Sequence, residues 1–182
     1  MAKEAKKFEK IMSPEFRVSF AYVFTPQTGF DNGTPKYSLV MLIPKKTDIT
    51  EMKRILKAAA VTKWGDKIPK GLRNPIRDGD EKELDGYKDM WAISATSKIK
   101  PGLVDADKTA ILTSDVFYSG CYARATLTAF AYDQKGNKGV AFGLQNIQKL
   151  RDGEPFSGRT RPEEDFDAQA GSPSGDDEEL FG

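Results

Sequence analysis

Hydrophobic and polar positions alternate from residue 16 to 24 (FRVSFAYVF), which places Phe16, Val18, Phe20, Tyr22 and Phe24 on one face and Arg17, Ser19, Ala21 and Val23 on the other. A period of two in aromatic and β-branched residues predicts a strand. The stretch TPQTGFDNGTP that follows is a connecting loop, and KYSLVMLIP (36–44) predicts a second strand antiparallel to the first. The period then changes. In TDITEMKRILKAAAVTKW, Met52, Ile55, Leu56 and Ala59 fall on one helical face, and Asp48 and Glu51 have the spacing of a capping box. Residues 65–86 are polar and broken by Gly and Pro, which predicts a long loop of the kind that often carries function. Three further strands are predicted: in YKDMWAISATSK, in SGCYARATLTAFAYD and, after a QKGNKG turn, in VAFGLQNIQKLR. The fourth strand separates Tyr122, Arg124, Thr126, Thr128, Phe130 and Tyr132 on one face from Cys121, Ala123, Ala125, Leu127, Ala129 and Ala131 on the other. A core face seldom holds an arginine and two threonines, so the Tyr122 to Tyr132 face is expected to be exposed.

Five strands with one helix between the second and third predict a mainly β protein, a small Greek-key barrel. The chain divides into a basic extension (1–15), a folded unit (16–162) and a C-terminal tail (163–182) whose small, polar and acidic residues predict disorder.

Charge changes this picture. The 182 residues hold 28 Lys and Arg against 27 Asp and Glu, close to balance, yet eight acids and no base lie in 163–182. The tail therefore carries −8, and the remainder, with 28 bases and 19 acids, carries +9. A basic body points to an anionic partner, and the tail to a separate role. The chain has no histidine, which removes the commonest general base and most zinc sites. The lone Cys121 cannot form an internal disulfide, and with no apolar run of membrane-spanning length and no signal-peptide pattern the expected location is cytoplasmic.

Enzymatic readings find little support. Asp78, Asp80, Glu81, Glu83 and Asp85 form the densest acidic group in the body, but they do not follow the calcium-loop pattern, and a solvated loop explains them. A metal-dependent nuclease using Asp78 and Asp80 is the weaker alternative, and a protein-binding adaptor is the other. No phosphate-binding glycine motif occurs, Cys121 has no histidine to activate it, and neither a cofactor nor a metal is expected. Binding fares better, because 19 aromatic residues accompany the basic body. Unpaired nucleic acid displays phosphates and flat bases together, and a surface of cations and rings satisfies both. The candidate contacts are Arg17, Phe20, Tyr22, Lys36, Tyr37, Lys45, Arg77, Lys88, Trp91, Tyr122, Arg124, Phe130 and Tyr132. Among them Arg17 is expected near Phe20 and Tyr22, Lys36 with Tyr37, Lys88 with Trp91, and Arg124 with Tyr122.

The motifs RVSFAYVFTP, KYSLVMLIPKK, NPIRDGDE, GCYARATLTAFAYD and KGVAFGLQNIQKLRDGEPFSGR, followed by Asp165 and Phe166, occur in that order. In them the chain resembles a family of single-stranded DNA-binding proteins of tailed bacteriophages, over nearly all of 16–166. The resemblance implies an OB-fold barrel that binds single-stranded DNA without sequence preference in phage replication, recombination or repair, in the host cytoplasm. It also implies a use for the terminus. Asp176, Asp177, Glu178, Glu179, Leu180 and Phe181 look like the acidic, phenylalanine-tipped tails with which unrelated single-stranded DNA-binding proteins dock on partner enzymes. A −8 tail tethered to a +9 body is expected to compete with DNA for the basic groove. The expected partners are single-stranded DNA and, through the tail, replication or recombination proteins, with no membrane; self-association stays open.

Overall fold

A computed structural model describes residues 9–28, 35–84, 86–134 and 136–156. The tail, with Asp176, Asp177, Glu178, Glu179, Leu180 and Phe181, lies outside the described residues, as does Asp85. The strands are β1 (Ile11–Met12), β2 (Phe16–Gln27), β3 (Lys36–Pro44), β4 (Ile76–Asp78), β5 (Met90–Ser97), β6 (Gly102–Val104), β7 (Tyr122–Gln134) and β8 (Asn137–Arg151). The helix α1 (Thr50–Trp64) lies between β3 and β4.

The five long strands close a ring in the order β7, β2, β3, β5, β8 and back to β7. Every contact in the ring is antiparallel except β5 with β8, which is parallel. This is the Greek-key connectivity of an OB-fold barrel. The short strands extend it: β1 pairs with β7, β4 with the start of β5, and β6 with the end of β8. The sheet thus reaches back to Ile11, and Ser13 is buried against Ala125, which donates its N–H to the serine hydroxyl at 2.9 Å.

Alternation fills the barrel. Phe16, Val18, Leu39, Met41, Ile43, Ile93, Ala95, Ala123, Ala125, Leu127, Phe142, Leu144 and Ile147 point inward, and α1 packs on β7 and β8 with Met52, Ile55, Leu56 and Ala59. Each large apolar side chain so buried contributes about 1.5–3 kcal/mol. Cys121 belongs to this core, and burial pushes its thiol pKa up.

Three expectations are corrected. The alternation in β2 is not continuous. Ser19 pairs with Val40 but Tyr22 with Ser38, so β2 carries one extra residue there, and Phe20 adopts a φ of +46°. Such a bulge inverts the parity of everything after it. Phe16 and Val18 are therefore inside and so is Val23, while Phe20 and Tyr22, expected on the Phe16 face, stand outside at 48% and 39% exposure. The capping box does not form either. The Asp48 carboxylate accepts from the N–H of Thr50 at 2.9 Å and from its hydroxyl, which holds the Asp48 carboxyl below its usual range, whereas Glu51 pairs with Arg54. The segment 65–86 is also more ordered than a loop, since it contributes β4 and a 3-10 turn, Gly79–Lys82.

Candidate nucleic-acid interface

Outward positions form a row across all five ring strands. Thr128 of β7 pairs with Gly143 of β8, Gly143 with Thr96 of β5, Thr96 with Ser38 of β3, and Ser38 with Tyr22 of β2. Along β7 the next outward residues are Phe130, opposite Ala141, and Tyr132, opposite Gly139. The floor of this face is built from small residues, Gly139, Ala141, Gly143, Ser94, Thr96 and Ser38. Rings stand at its sides: Tyr22 and Phe20 on β2, and Phe130 with Tyr132 on β7, their centroids 6.5 Å apart and tilted by 52°.

The two glycines are there for close approach. A Cβ on Gly139 would lie 2.5 Å from the Tyr132 hydroxyl oxygen and 2.9 Å from the Cβ of Arg73, and one on Gly143 would lie close against the Thr128 hydroxyl. The Tyr132 ring therefore rests on bare backbone. Arg73 joins this edge because its N–H donates to the carbonyl of Lys138 and its carbonyl accepts from Val140 N–H, each at 3.0 Å.

The other half of the same outer face is covered. Leu42, Tyr87 and Ala92 form a second small core, with Val40, Met90 and Phe156 packed against it. The Tyr87 and Ser19 hydroxyls share a buried 2.6 Å hydrogen bond, and desolvation raises the Tyr87 pKa. Arg17 roofs this half. Its guanidinium lies 3.9 Å from the Phe156 ring centre and donates to the carbonyls of Gly120 and Glu154.

The expected pairings are therefore largely replaced. Arg17 stacks on Phe156, not beside Phe20 and Tyr22. The Tyr122 ring is covered by Arg151 at 4.2 Å, itself bridged to Glu15 at 2.7 Å, while Arg124 donates to Gln148 at 2.8 Å. Thr126 accepts from the N–H of Asn146, at the point where β8 takes up an extra residue. Only the distal part of the Tyr122 to Tyr132 face, from Thr128 onward, is thus left open above the small floor.

Trp91 stands apart from the row. It lies on the inward side of β5 at the helix end, with Lys45 and Lys53 ammonium groups 5.3 Å and 5.9 Å from its ring centre in place of Lys88. The ring lines an open cavity of about 510 Å³ with Asn74, Ile76, Arg77, Asp78, Glu81 and Lys82. Lys45 bridges Asp78 and Asp80 at 2.6 Å each. The hydrogen bonds from Lys45 hold both carboxyls below the usual range and raise the lysine. Asp78 also accepts from Asp80 N–H, and Asp80 from Asp89 N–H. These acids pin the loop before β5 and turn their oxygens to a lysine. Arg77 and Lys88 are exposed, and Lys36 and Tyr37 are half-buried where β3 begins.

Residues 9–180 match the family described as Enterobacter phage Enc34, ssDNA-binding protein. The chain belongs to that family. It is a family of binding proteins, not of enzymes. A curated relative, the putative protein p50 of Acyrthosiphon pisum secondary endosymbiont phage 1, is 37% identical over 161 residues, covering 82% of this chain and 87% of the relative. The solved single-stranded DNA-binding protein of bacteriophage Enc34, in complex with ssDNA, superposes with a TM-score of 0.69 at 26% identity, over 81% of this chain and 89% of that one. The gp2.5 protein of bacteriophage T7 shares the fold, with a TM-score of 0.56 at 16% identity over 84% and 97% of the two chains. Of the candidate contacts named from the sequence, Tyr22, Phe130 and Tyr132 stand at the open face; the small floor and Arg73 were not among them. The spacing G-V-A-F-G in β8 carried the signal for the floor; Arg73, inside a polar loop, carried none. Among the described residues no helix is long and apolar enough to cross a membrane.

Proposed function

We propose that the chain binds single-stranded DNA without sequence preference along the open half of the outer barrel face, in phage DNA replication, recombination or repair in the host cytoplasm. Bases stack on Tyr22, Phe130 and Tyr132, with Phe20 and Tyr37 at the rim, while Lys36, Arg73 and Arg77 face phosphates. The observation that carries this reading is the ring-flanked floor of small residues, Ala141, Gly143, Thr96 and Ser38, with the Tyr132 ring lying over Gly139 beside it, in a member of this family. A base lies flat only where nothing projects from below, and rings meet every base with similar energy, which gives affinity without sequence readout.

In this reading the DNA-binding unit is 16–162, and the acidic tail 163–182 competes with DNA for it; displaced, the tail offers Asp176, Asp177, Glu178, Glu179, Leu180 and Phe181 to replication or recombination proteins. Fluorescence anisotropy with labelled oligo-dT tests both parts. Binding is expected at low salt, weakening on a log-log plot with a slope of about −0.7 for each phosphate contact. Deleting 163–182 is expected to tighten binding at low salt. An oligonucleotide that stays free overturns the DNA reading in favour of an adaptor, and a deletion without effect overturns the competition.

A further inference from the structure

We propose that Ile99 is an apolar wedge that packs against a base of the bound strand at the rim of the groove, with Lys98 and Lys100 holding the phosphates on either side. This rests on the DNA-binding reading above and adds to it a contact outside the strands.

Ile99 is 79% exposed, second to Leu112 at 81% among the large apolar side chains of the described residues. It is also held there. The Ser97 hydroxyl donates to the Ile99 carbonyl at 2.6 Å and accepts from the Ile99 N–H at 3.1 Å, so one side chain satisfies both backbone groups of the residue. Pro101, buried two positions on, biases Lys100 to an extended backbone and fixes the exit of the turn.

Its location links it to the groove. Ser97 is the last residue of β5 and pairs with Tyr37, and Thr96 before it belongs to the row that runs to Tyr22. Three residues of chain keep Ile99 within about 11 Å of Thr96. The Lys100 ammonium lies 6.0 Å from the Phe24 ring centre, which brings the same rim back to β2. Lys98 and Lys100 are both exposed. The order cation, apolar group, cation repeats the phosphate, base, phosphate order of a nucleic acid strand, and an apolar side chain set between bases unstacks them. An acidic protein partner would be drawn to the lysines as well, but the position beside the open floor favours the strand.

The test uses the full-length chain and oligo-dT with a single 2-aminopurine. Ile99→Ser is expected to weaken binding about five- to tenfold, while Ile99→Leu stays within about twofold of wild type. Wild-type binding is expected to raise 2-aminopurine emission at one position of the oligonucleotide, and Ile99→Ser to abolish that rise. Lys98→Gln and Lys100→Gln should each reduce the salt slope by about 0.7. All three sites are exposed, and an unchanged thermal unfolding curve shows that the fold is intact. If wild type binds and Ile99→Ser matches it in affinity and emission, the wedge is overturned while the DNA reading stands, and Ile99 then belongs to a protein contact. A wild-type chain that binds no oligonucleotide overturns the DNA reading and the wedge with it.

Discussion

Replacing Gly139 by alanine separates the groove from the fold. The added methyl carbon would sit 2.5 Å from the Tyr132 oxygen and 2.7 Å from its Cζ, where ordinary contact needs about 3.5–4.0 Å. The ring must lift by about 1 Å, and a displacement of that size forfeits roughly a quarter to a half of a contact's dispersion energy. A stacked base contributes about 1–3 kcal/mol, so the expected loss is about 0.3–1.5 kcal/mol, or roughly two- to tenfold in Kd. Stability should fall by less than about 2 kcal/mol. Gly139 does not occupy the left-handed region, so alanine gains about 0.4–1 kcal/mol by restricting the unfolded chain, which offsets part of the work of moving the end of Tyr132 and the Arg73 Cβ, 2.9 Å away. Tyr132→Ala removes the ring altogether and should cost the full 1–3 kcal/mol or so. Anisotropy titrations of wild type, Gly139→Ala and Tyr132→Ala, beside urea unfolding of each, should rank affinity in that order, with the glycine variant losing less than about 2 kcal/mol of stability. Equal affinity for all three would refute the stacking platform. A Gly139→Ala loss of stability above about 2 kcal/mol would show instead that the glycine serves packing.

Tyr87→Phe leaves the buried Ser19 hydroxyl without its partner, and urea unfolding should show a loss of about 1–3 kcal/mol with DNA affinity unchanged, because the pair lies beneath the covered half. Asp78 and Asp80 have pKa values depressed in the folded chain, so the stability they add is present above their unfolded value near 3.9 and is lost as pH falls through the folded values. Unfolding measured between pH 7 and 2 should therefore show a decline below about pH 4 that is shallower in Lys45→Met; an identical decline in both proteins would show that the bridge does not report on folding.

Strands and helix were legible because their periods are long and uniform: β7 keeps one parity through ten residues, and α1 buries the four residues its spacing marks. The bulge at Phe20 was not, because the sequence continues to alternate across it and only pairing with β3 reveals the extra residue. That single step separates Phe20 and Tyr22, named as contacts from the sequence, from the Phe16 and Val18 face on which the alternation puts them. The second core is marked in the sequence. Residues 39–43, LVMLI, are apolar on both faces, which is the mark of a strand covered on both sides, and Leu42 is indeed buried beside Tyr87. The partners of Arg17, Tyr122 and Trp91 depended on Phe156, Arg151 and Lys53, distant in sequence, and no neighbour rule could supply them.

The parallel contact between β5 and β8 also governs when the molecule comes into being. β8 pairs with β7, β5 and β6, and it is the last of the described strands to leave the ribosome. Until it emerges, β5 lacks the strand that closes the ring, and half of the small-residue floor has not been made. On the proposed reading, a nascent chain has no finished surface for a passing strand until β8, through Arg151, has left the ribosome.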